Sequence, residues 1–310
     1  MRPAYHWRLR SRTLTLGPRT LLMGILNVTP DSFSDGGRFL STEAAIDHAR
    51  HMLDDGADIL DIGGESTRPG ARVATANGRQ AAGVTADEEL RRILPVIAGV
   101  KRAVPEALIS VDTYKAAVAR EAIAAGAEIV NDVSGLRWDP EMPGAVAAAG
   151  CGVVLMHTRG KPGEWRDLPP LGTSIVEVVS RELEAWAADA ERAGIAQDRL
   201  VLDPGFGFGK NFEENYPLLA RLDELQRLGY PLLAGPSRKS FIGRTISRTG
   251  EPAPPELRLH GTLAAVAAAI LKGAHIVRVH DVGPARDVAA VCDEILLFTA
   301  EDAEENQADL

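Results

Sequence analysis

The stretch LISVDTYKAAVAREAIAAGAEIVNDVSGL, Leu108–Leu136, decides how the chain folds. Leu108–Val111 is too short and too continuously apolar for an amphipathic helix and suits a strand buried on both faces. Tyr114–Ala125 carries apolar residues at helical spacing, and Gly126 follows as a stop. Glu128–Val130 restores the strand pattern. Strand, helix and strand in this order make the βαβ unit of a parallel sheet.

The same alternation extends in both directions. Further strand-like runs are Leu21–Leu26, Ile59–Ile62, Gly152–Leu155, Leu200–Leu202, Pro231–Ala234 and Ala274–Val279. Helical periodicity marks Thr42–Asp55, Ala86–Ala103, Ile175–Ala193, Glu213–Leu228, Gly261–Leu271 and Ala285–Phe298, and more weakly Pro140–Ala149. Eight strand–helix repeats predict an α/β protein with one closed (β/α)8 TIM barrel, spanning residues 21–299. A doubly wound open sheet is the structural alternative. The GFGFG turn does not support it, because no GxGxxG opens a first helix.

The ends read differently. Residues 1–20 hold five arginines (Arg2, Arg8, Arg10, Arg12, Arg19) and no acid. Trp7/Leu9 and Leu14/Leu16 alternate with polar residues around Arg10–Arg12, the pattern of a short β-hairpin. An organellar transit peptide is the other reading. Residues 300–310 are acidic and lack aromatics, so a solvated, disordered tail is expected.

Composition excludes several functions. The 310 residues carry 34 Lys+Arg against 43 Asp+Glu, a net charge of −9, which argues against a nucleic-acid or membrane-surface binder. Cys151 and Cys292 stand alone, so structural zinc is not expected and a reducing cytoplasm is the simplest setting. The longest apolar run, around Leu263–Leu271, falls short of the roughly 20 residues that span a bilayer. In the same segment the stripe of Leu263, Val266, Ala267 and Ile270 reads as core.

In a barrel, chemistry gathers where strands end, because eight such ends converge on one mouth. Here every end is polar. Asn27 follows the first run, and Gly63–Arg68 follow the second. Asp112, Asn131–Asp132, Met156–His157 and Asp203 end the next four. Gly235 precedes Ser237–Ser240 after the seventh, and Arg278 and His280 flank the end of the eighth. One such Asp is commonly a helix cap, one Arg a surface charge and one His a core residue. Eight together indicate a functional mouth.

The mixture narrows the ligand. Asp112, Asn131 and Asp203 suit a heterocycle rich in N–H donors, whereas Arg68, Lys239, Arg278 and His280 suit anions. The Ser237–Ser240 stretch opens a helix, a second place for an anion. The first strand lacks the HxH pair of an amidohydrolase metal centre, and no GxSxG or Cys/His pairing supplies a covalent nucleophile. The loops Thr29–Arg38 and Glu65–Thr85 are long and rich in Gly, Pro, Ser and Thr, as lids over a mouth are.

The strings MGILNVTPDSFSDGG, DIGGESTRPGA, SVDTYK, IVNDVSGL, LDPGFGFGKN, AGPSRKSFIG and RVHDV resemble, in the correct order from about Leu21 to Val291, the dihydropteroate synthases, the folate-pathway targets of sulfonamides. The resemblance implies a barrel transferase, typically a homodimer. Its reaction joins 6-hydroxymethyl-7,8-dihydropterin diphosphate to p-aminobenzoate, releasing pyrophosphate with Mg2+ assistance. It further implies that Asp112, Asn131, Asp203 and Lys239 hold the pterin, with Met156 and Gly235 close to the ring. Asn27, Arg278 and His280, helped by Arg68, would bind the diphosphate, and Asn27 would also contact the magnesium. Phe33, Thr67, Arg68 and Pro69, with Lys239 and Ser240, would form the p-aminobenzoate pocket. Asp112, Lys239, Arg278 and His280 are the expected catalytic residues.

Two departures stand out. Arg72–Gly83 lengthens the second loop, and the fifth strand is followed by HTRGKP (His157–Pro162) where the family often reads HMQGxP. Two rivals share parts of the pattern: a pterin-dependent methyltransferase barrel, which would not need the SRKS and RVHD pair, and a non-catalytic pterin-binding barrel, which would be expected to lose Asp112, Asn131, Lys239 or Arg278.

Overall fold

A computed structural model of the chain describes residues 2–29, 37–66 and 83–308; Phe33, Thr67, Arg68 and Pro69, and Arg72–Ala82 of the second loop, lie outside them. Two short strands, β1 (Tyr5–Arg8) and β2 (Thr13–Leu16), pair antiparallel with Trp7 opposite Leu14. Trp7 and Leu16 are buried while His6, Arg8, Thr13 and Thr15 face solvent, the alternation expected of a hairpin.

Eight strands follow: β3 (Leu21–Asn27), β4 (Ile59–Gly63), β5 (Ile109–Asp112), β6 (Ile129–Asp132), β7 (Gly152–Met156), β8 (Leu200–Asp203), β9 (Leu233–Ala234) and β10 (Ile276–Val279). They form one parallel sheet in the order β8-β7-β6-β5-β4-β3-β10-β9, and a parallel bridge between Leu202 and Leu232 joins its two ends. The sheet is therefore curled into a barrel. Around it lie α1 (Gly37–Asp54), α2 (Ala86–Ala103), α3 (Ala116–Ala124), α4 (Met142–Ala149), α5 (Ile175–Arg192), α6 (Phe212–Ala220), α7 (Ser240–Thr245), α8 (Leu259–Leu271) and α9 (Val282–Ala308).

Period-2 alternation sorts the strand residues into two sets. Leu22, Leu60, Ile109, Val130, Val153, Leu202, Leu232 and Val277 pack outward against the helices. Their neighbours Leu21, Ile59, Leu108, Ile129, Val154, Val201, Leu233 and Ile276 face inward and form a separate cluster with Trp7, Leu9 and Leu16. The hairpin thus plugs the N-terminal end of the barrel. Each fully buried leucine there contributes about 1.5–3 kcal/mol. Gly152 permits the plug, since a Cβ at that position would lie 2.4 Å from Leu9 Cδ2.

Continuing the inward set two residues at a time towards the C-terminal ends gives Asp61, Gly63, Ser110, Asp112, Asn131, Met156, Asp203, Gly235, Arg278 and His280. Burial of apolar side chains below and polar side chains above is what places the mouth.

Helix α2 matches its expected limits because its signals are complete. Thr85 accepts from the Glu88 N–H at 3.2 Å, Asp87–Glu89 occupy the positive end and Lys101–Arg102 the negative end. Elsewhere the limits differ. Glu213–Leu228, expected as one helix, divides into α6 and a 3-10 turn over Leu222–Leu228. Leu222, Leu225 and Leu228 recur every third residue, and a 3-10 turn puts all three on its inner side. β9 begins after Pro231, which lacks the N–H a strand needs. Helix α1 begins at Gly37, ahead of the expected Thr42. Helix α9 runs on to Ala308, through most of the stretch expected as a solvated tail. The stretch is rich in Ala and Glu, and extending a helix that already exists avoids the cost of nucleation. In α8, Val266 and Ile270 are fully buried, as a core stripe requires.

Candidate active site

Asp61 sits inside the barrel, fully buried, one layer below the mouth. Its Oδ2 accepts from Arg278 Nε at 2.6 Å and from Asn131 Nδ2 at 2.9 Å. Arg278 also donates through Nη2 to Asp112 Oδ2 at 2.7 Å. One guanidinium from β10 therefore bridges carboxylates from β4 and β5, while the amide from β6 shares the lower carboxylate. A carboxylate only accepts, so the Asn131 amide turns its NH2 to Asp61 and keeps Oδ1 for the cavity.

That cavity is lined by Asp112, Asn131, Asp203, Lys239 and Arg278, by the Gly235 backbone, and by an apolar wall of Val133, Met156, Phe206 and Phe208. Burial pushes the Asp112 carboxyl well above the ordinary carboxylate range, with Arg278 pulling it down and Asp61 adding to the rise. Asp203 is pushed up to about 6 by burial, opposed by its bond from the Gly205 N–H and by Lys239. Lys239 is lowered to about 7 by burial and by Arg278. Its Nζ lies 3.8 Å from the centre of the Phe208 ring, a cation–π contact. Arg278 stays charged: burial lowers it, but Asp61 and Asp112 more than compensate.

The loops over the mouth are locally fastened. Asp203 Oδ1 accepts from the Gly205 N–H at 2.7 Å. Gly205 has φ +68°, and a Cβ there would fall 1.9 Å from the His157 carbonyl oxygen, so only glycine fits. Lys210 donates to the carbonyls of Gly205, His157 and Phe208 and holds the GFGFG loop from below. Arg159, from the departing HTRGKP segment, donates to Gly209 O at 3.1 Å and Pro169 O at 2.9 Å; its charge serves loop structure. Arg238, strained at φ +55°, makes a two-point ion pair with Asp281 and so ties the loop carrying Lys239 to the end of β10. Ser237 Oγ accepts from the His280 N–H at 3.2 Å and pairs with His280 Nδ1 at 2.9 Å. The hydroxyl, with one donor and two lone pairs, can serve the backbone N–H and the ring nitrogen together, and so fixes the orientation of the imidazole. Burial, with Arg278 and Arg238 nearby, lowers His280 to about 3, so the ring is neutral.

Of the residues expected from the sequence, Asp112, Asn131, Met156, Asp203, Gly235, Lys239 and Arg278 line one cavity. Asn27 ends β3, half-buried beside Gly63; His280 follows β10; Ser240 opens α7. These three are not among the residues lining the cavity. Phe33, Thr67, Arg68 and Pro69 fall outside the described residues. Asp132, also at a strand end, faces away and accepts from the Ser134 and Leu136 N–H groups at 2.7 and 3.2 Å, a turn-building role. Sequence reasoning missed Asp61 and Phe208. The signal for Asp61 was a lone charge inside ILDIG, two residues beyond the inward-facing Ile59.

Fold and mouth together define a (β/α)8 enzyme that accepts a nitrogen heterocycle beside anionic groups. Residues 23–280 match the family described as pterin binding enzyme. The chain is 45% identical over 280 residues to the dihydropteroate synthase of Synechocystis sp., covering 90% of this chain and 91% of that one. Among solved structures, the Xanthomonas albilineans dihydropteroate synthase with 4-aminobenzoic acid superposes with a TM-score of 0.83 at 44% identity, covering 95% of this chain and 99% of the other. The same organism's enzyme in complex with 7,8-dihydropteroate gives 0.79 at 42% identity, covering 92% and 97%. The chain belongs to the pterin binding enzyme family and, within it, to the dihydropteroate synthases: it condenses 6-hydroxymethyl-7,8-dihydropterin diphosphate with p-aminobenzoate.

Proposed function

We propose that Asp112, Asn131 and Asp203, with Lys239, hold the pterin ring against Met156 and Gly235, while Arg278, His280 and Asn27 bind the diphosphate. The convergence of three acceptors and two cations in one cavity at the C-terminal mouth carries this reading. Lys239 and Ser240 hold p-aminobenzoate together with Phe33, Thr67, Arg68 and Pro69, and Arg68 also assists with the diphosphate.

In this reading the C–O bond to the diphosphate breaks first, leaving a methylene cation conjugated with the pterin. Asp112 beside the ring stabilises the charge as it develops, since a fixed anion in a poorly hydrated site acts most strongly where charge appears. Arg278 and His280 stabilise the departing pyrophosphate. The amine of p-aminobenzoate then forms the new C–N bond and loses one proton. No covalent enzyme intermediate is needed.

Magnesium belongs to the same proposal. The single amide oxygen of Asn27 suits an ion that takes its remaining oxygens from a diphosphate and water. When bound, the ion neutralises charge on the leaving group.

A homodimer is also proposed, supported by Val291, Ile295 and Phe298, an exposed apolar stripe on α9; sedimentation of the purified chain checks it. A cytoplasmic setting is supported by the buried free thiols of Cys151 and Cys292.

The catalytic reading is tested by mixing the protein with pterin diphosphate, p-aminobenzoate and Mg2+ and following pyrophosphate. Release that depends on p-aminobenzoate is expected; no release overturns the reading.

A further inference from the structure

We propose that Asp61 is a positioning residue for the condensation, acting through Arg278 and Asn131. The inference rests on the assignment of Arg278 to the diphosphate and Asn131 to the pterin.

Asp61 touches no part of the cavity surface; it is fully buried one layer beneath. A single oxygen, Oδ2, takes both functional side chains, Arg278 Nε at 2.6 Å and Asn131 Nδ2 at 2.9 Å. The other oxygen, Oδ1, is buried and has no hydrogen-bond partner among the described residues, and neither has the hydroxyl of its cross-strand neighbour Ser110. A buried carboxylate with half its acceptors idle is a poor device for stability, because desolvation costs more than such a pairing returns. Its geometry suits positioning.

For Arg278, the bond at Nε fixes the plane of the guanidinium from behind. Terminal nitrogen Nη2 reaches the mouth, where it spans to Asp112. When a pterin takes Asp112, that contact yields, but the Asp61 anchor does not depend on it. The guanidinium then remains aimed at the diphosphate instead of relaxing along the barrel wall. A lysine has one charged nitrogen and cannot be held at one end while donating from the other. For Asn131, an acceptor-only neighbour fixes the amide so that Oδ1 faces the cavity. The site then accepts a ring N–H at that point and disfavours a ring edge that presents an acceptor there. Asp61 thus sets which heterocycle edge Asn131 reads.

The test is a double-mutant cycle on the full chain with wild type, Asp61→Asn, Arg278→Lys and the double variant. Steady-state condensation is measured alongside calorimetric binding of two probes, inorganic pyrophosphate and 6-hydroxymethylpterin. Asp61→Asn keeps the volume but lets the amide at 131 turn either way. Its kcat is expected to fall about 10–100-fold and its pyrophosphate affinity about tenfold, with the KM for p-aminobenzoate within about threefold. Hydroxymethylpterin affinity should fall as well. In the Arg278→Lys background the same substitution should cost less than about threefold in kcat, because the partner through which it acts on the diphosphate has gone, while its cost in hydroxymethylpterin affinity, exerted through Asn131, should persist. Equal kcat costs in both backgrounds would make Asp61 merely structural and overturn the inference, as would unchanged kcat in Asp61→Asn. Unchanged pyrophosphate affinity in Arg278→Lys would instead overturn the diphosphate assignment. Asp61→Ser, run through the same cycle, supplies the comparison should Asp61→Asn fold poorly.

Discussion

Arg278 Nη2 and Asp112 Oδ2 lie 2.7 Å apart across the mouth of the barrel. A cation assigned to the diphosphate and an anion assigned to the pterin therefore occupy each other before either ligand arrives. A pterin that takes Asp112 releases the terminal nitrogen of Arg278 for an anion. Binding of 6-hydroxymethylpterin should accordingly raise the affinity for pyrophosphate, by about 5–20-fold, and by linkage the reverse. Calorimetry of one ligand in the presence of saturating second ligand checks it; independent binding would contradict it.

The pH dependence of condensation follows from three buried groups. Asp203, pushed up to about 6, and Asp112, pushed up by burial, lose their charge on the acid side. Lys239, lowered to about 7, loses its charge on the alkaline side. The kcat/KM for pterin diphosphate should fall below about pH 6 and again above about pH 7–8, a bell centred near neutrality. A flat profile from pH 5 to 9 would rule out these groups as the ones that matter.

His275 couples the N-terminal segment to acid stability. Its Nδ1 accepts from the Leu232 N–H at 3.1 Å and its Nε2 donates to Pro3 O at 3.0 Å, so the native ring is neutral. Burial lowers it from 6.5 to about 4. The unfolded chain takes up a proton near pH 6.5 and the native chain does not until about pH 4. The His275 share is therefore complete above pH 6.5 and is lost as the pH falls between those values. The advantage of wild type over His275→Gln in urea unfolding should shrink by about 1 kcal/mol from pH 7.5 to 5.5. An unchanged difference would show that His275 is not held neutral.

Lys115 lies between Glu65 and Glu89, all three buried. Glu65 also accepts from the Val84 N–H at 3.1 Å and so closes the base of the second loop, which carries Thr67, Arg68 and Pro69. Removing the ammonium leaves two buried carboxylates facing each other; burial already raises Glu89. Lys115→Met should cost about 3–5 kcal/mol of stability. It should also raise the KM for p-aminobenzoate while leaving hydroxymethylpterin binding within about threefold. Equal losses for both ligands would show that the triad does not act through the loop.

Much of this architecture is legible in the sequence, for a physical reason. Strands buried on both faces read as short apolar runs, and Asp112, Asn131 and Asp203 stand at the ends of theirs, where a polar residue is conspicuous. Thr85 and the acids after it announced the start of α2. Asp61 was hidden because it lies inside its run, where ILDIG reads as strand and gives no hint that the charge meets Arg278, 217 residues away. Phe208 was hidden because its place over Lys239 depends on how the GFGFG glycines turn. The division after Ala220 escaped notice because leucines three apart fit an α-helix nearly as well as a 3-10 turn.

The most direct measurement is the turnover of Asp112→Asn in the pyrophosphate-release assay, with hydroxymethylpterin binding measured on the same sample. Asparagine can still accept from Arg278 and from a ring N–H but carries no charge to oppose the developing cation. Turnover is expected to fall by about three orders of magnitude or more, with pterin binding still measurable. Near-normal turnover in a folded, pterin-binding Asp112→Asn would contradict the assignment of Asp112.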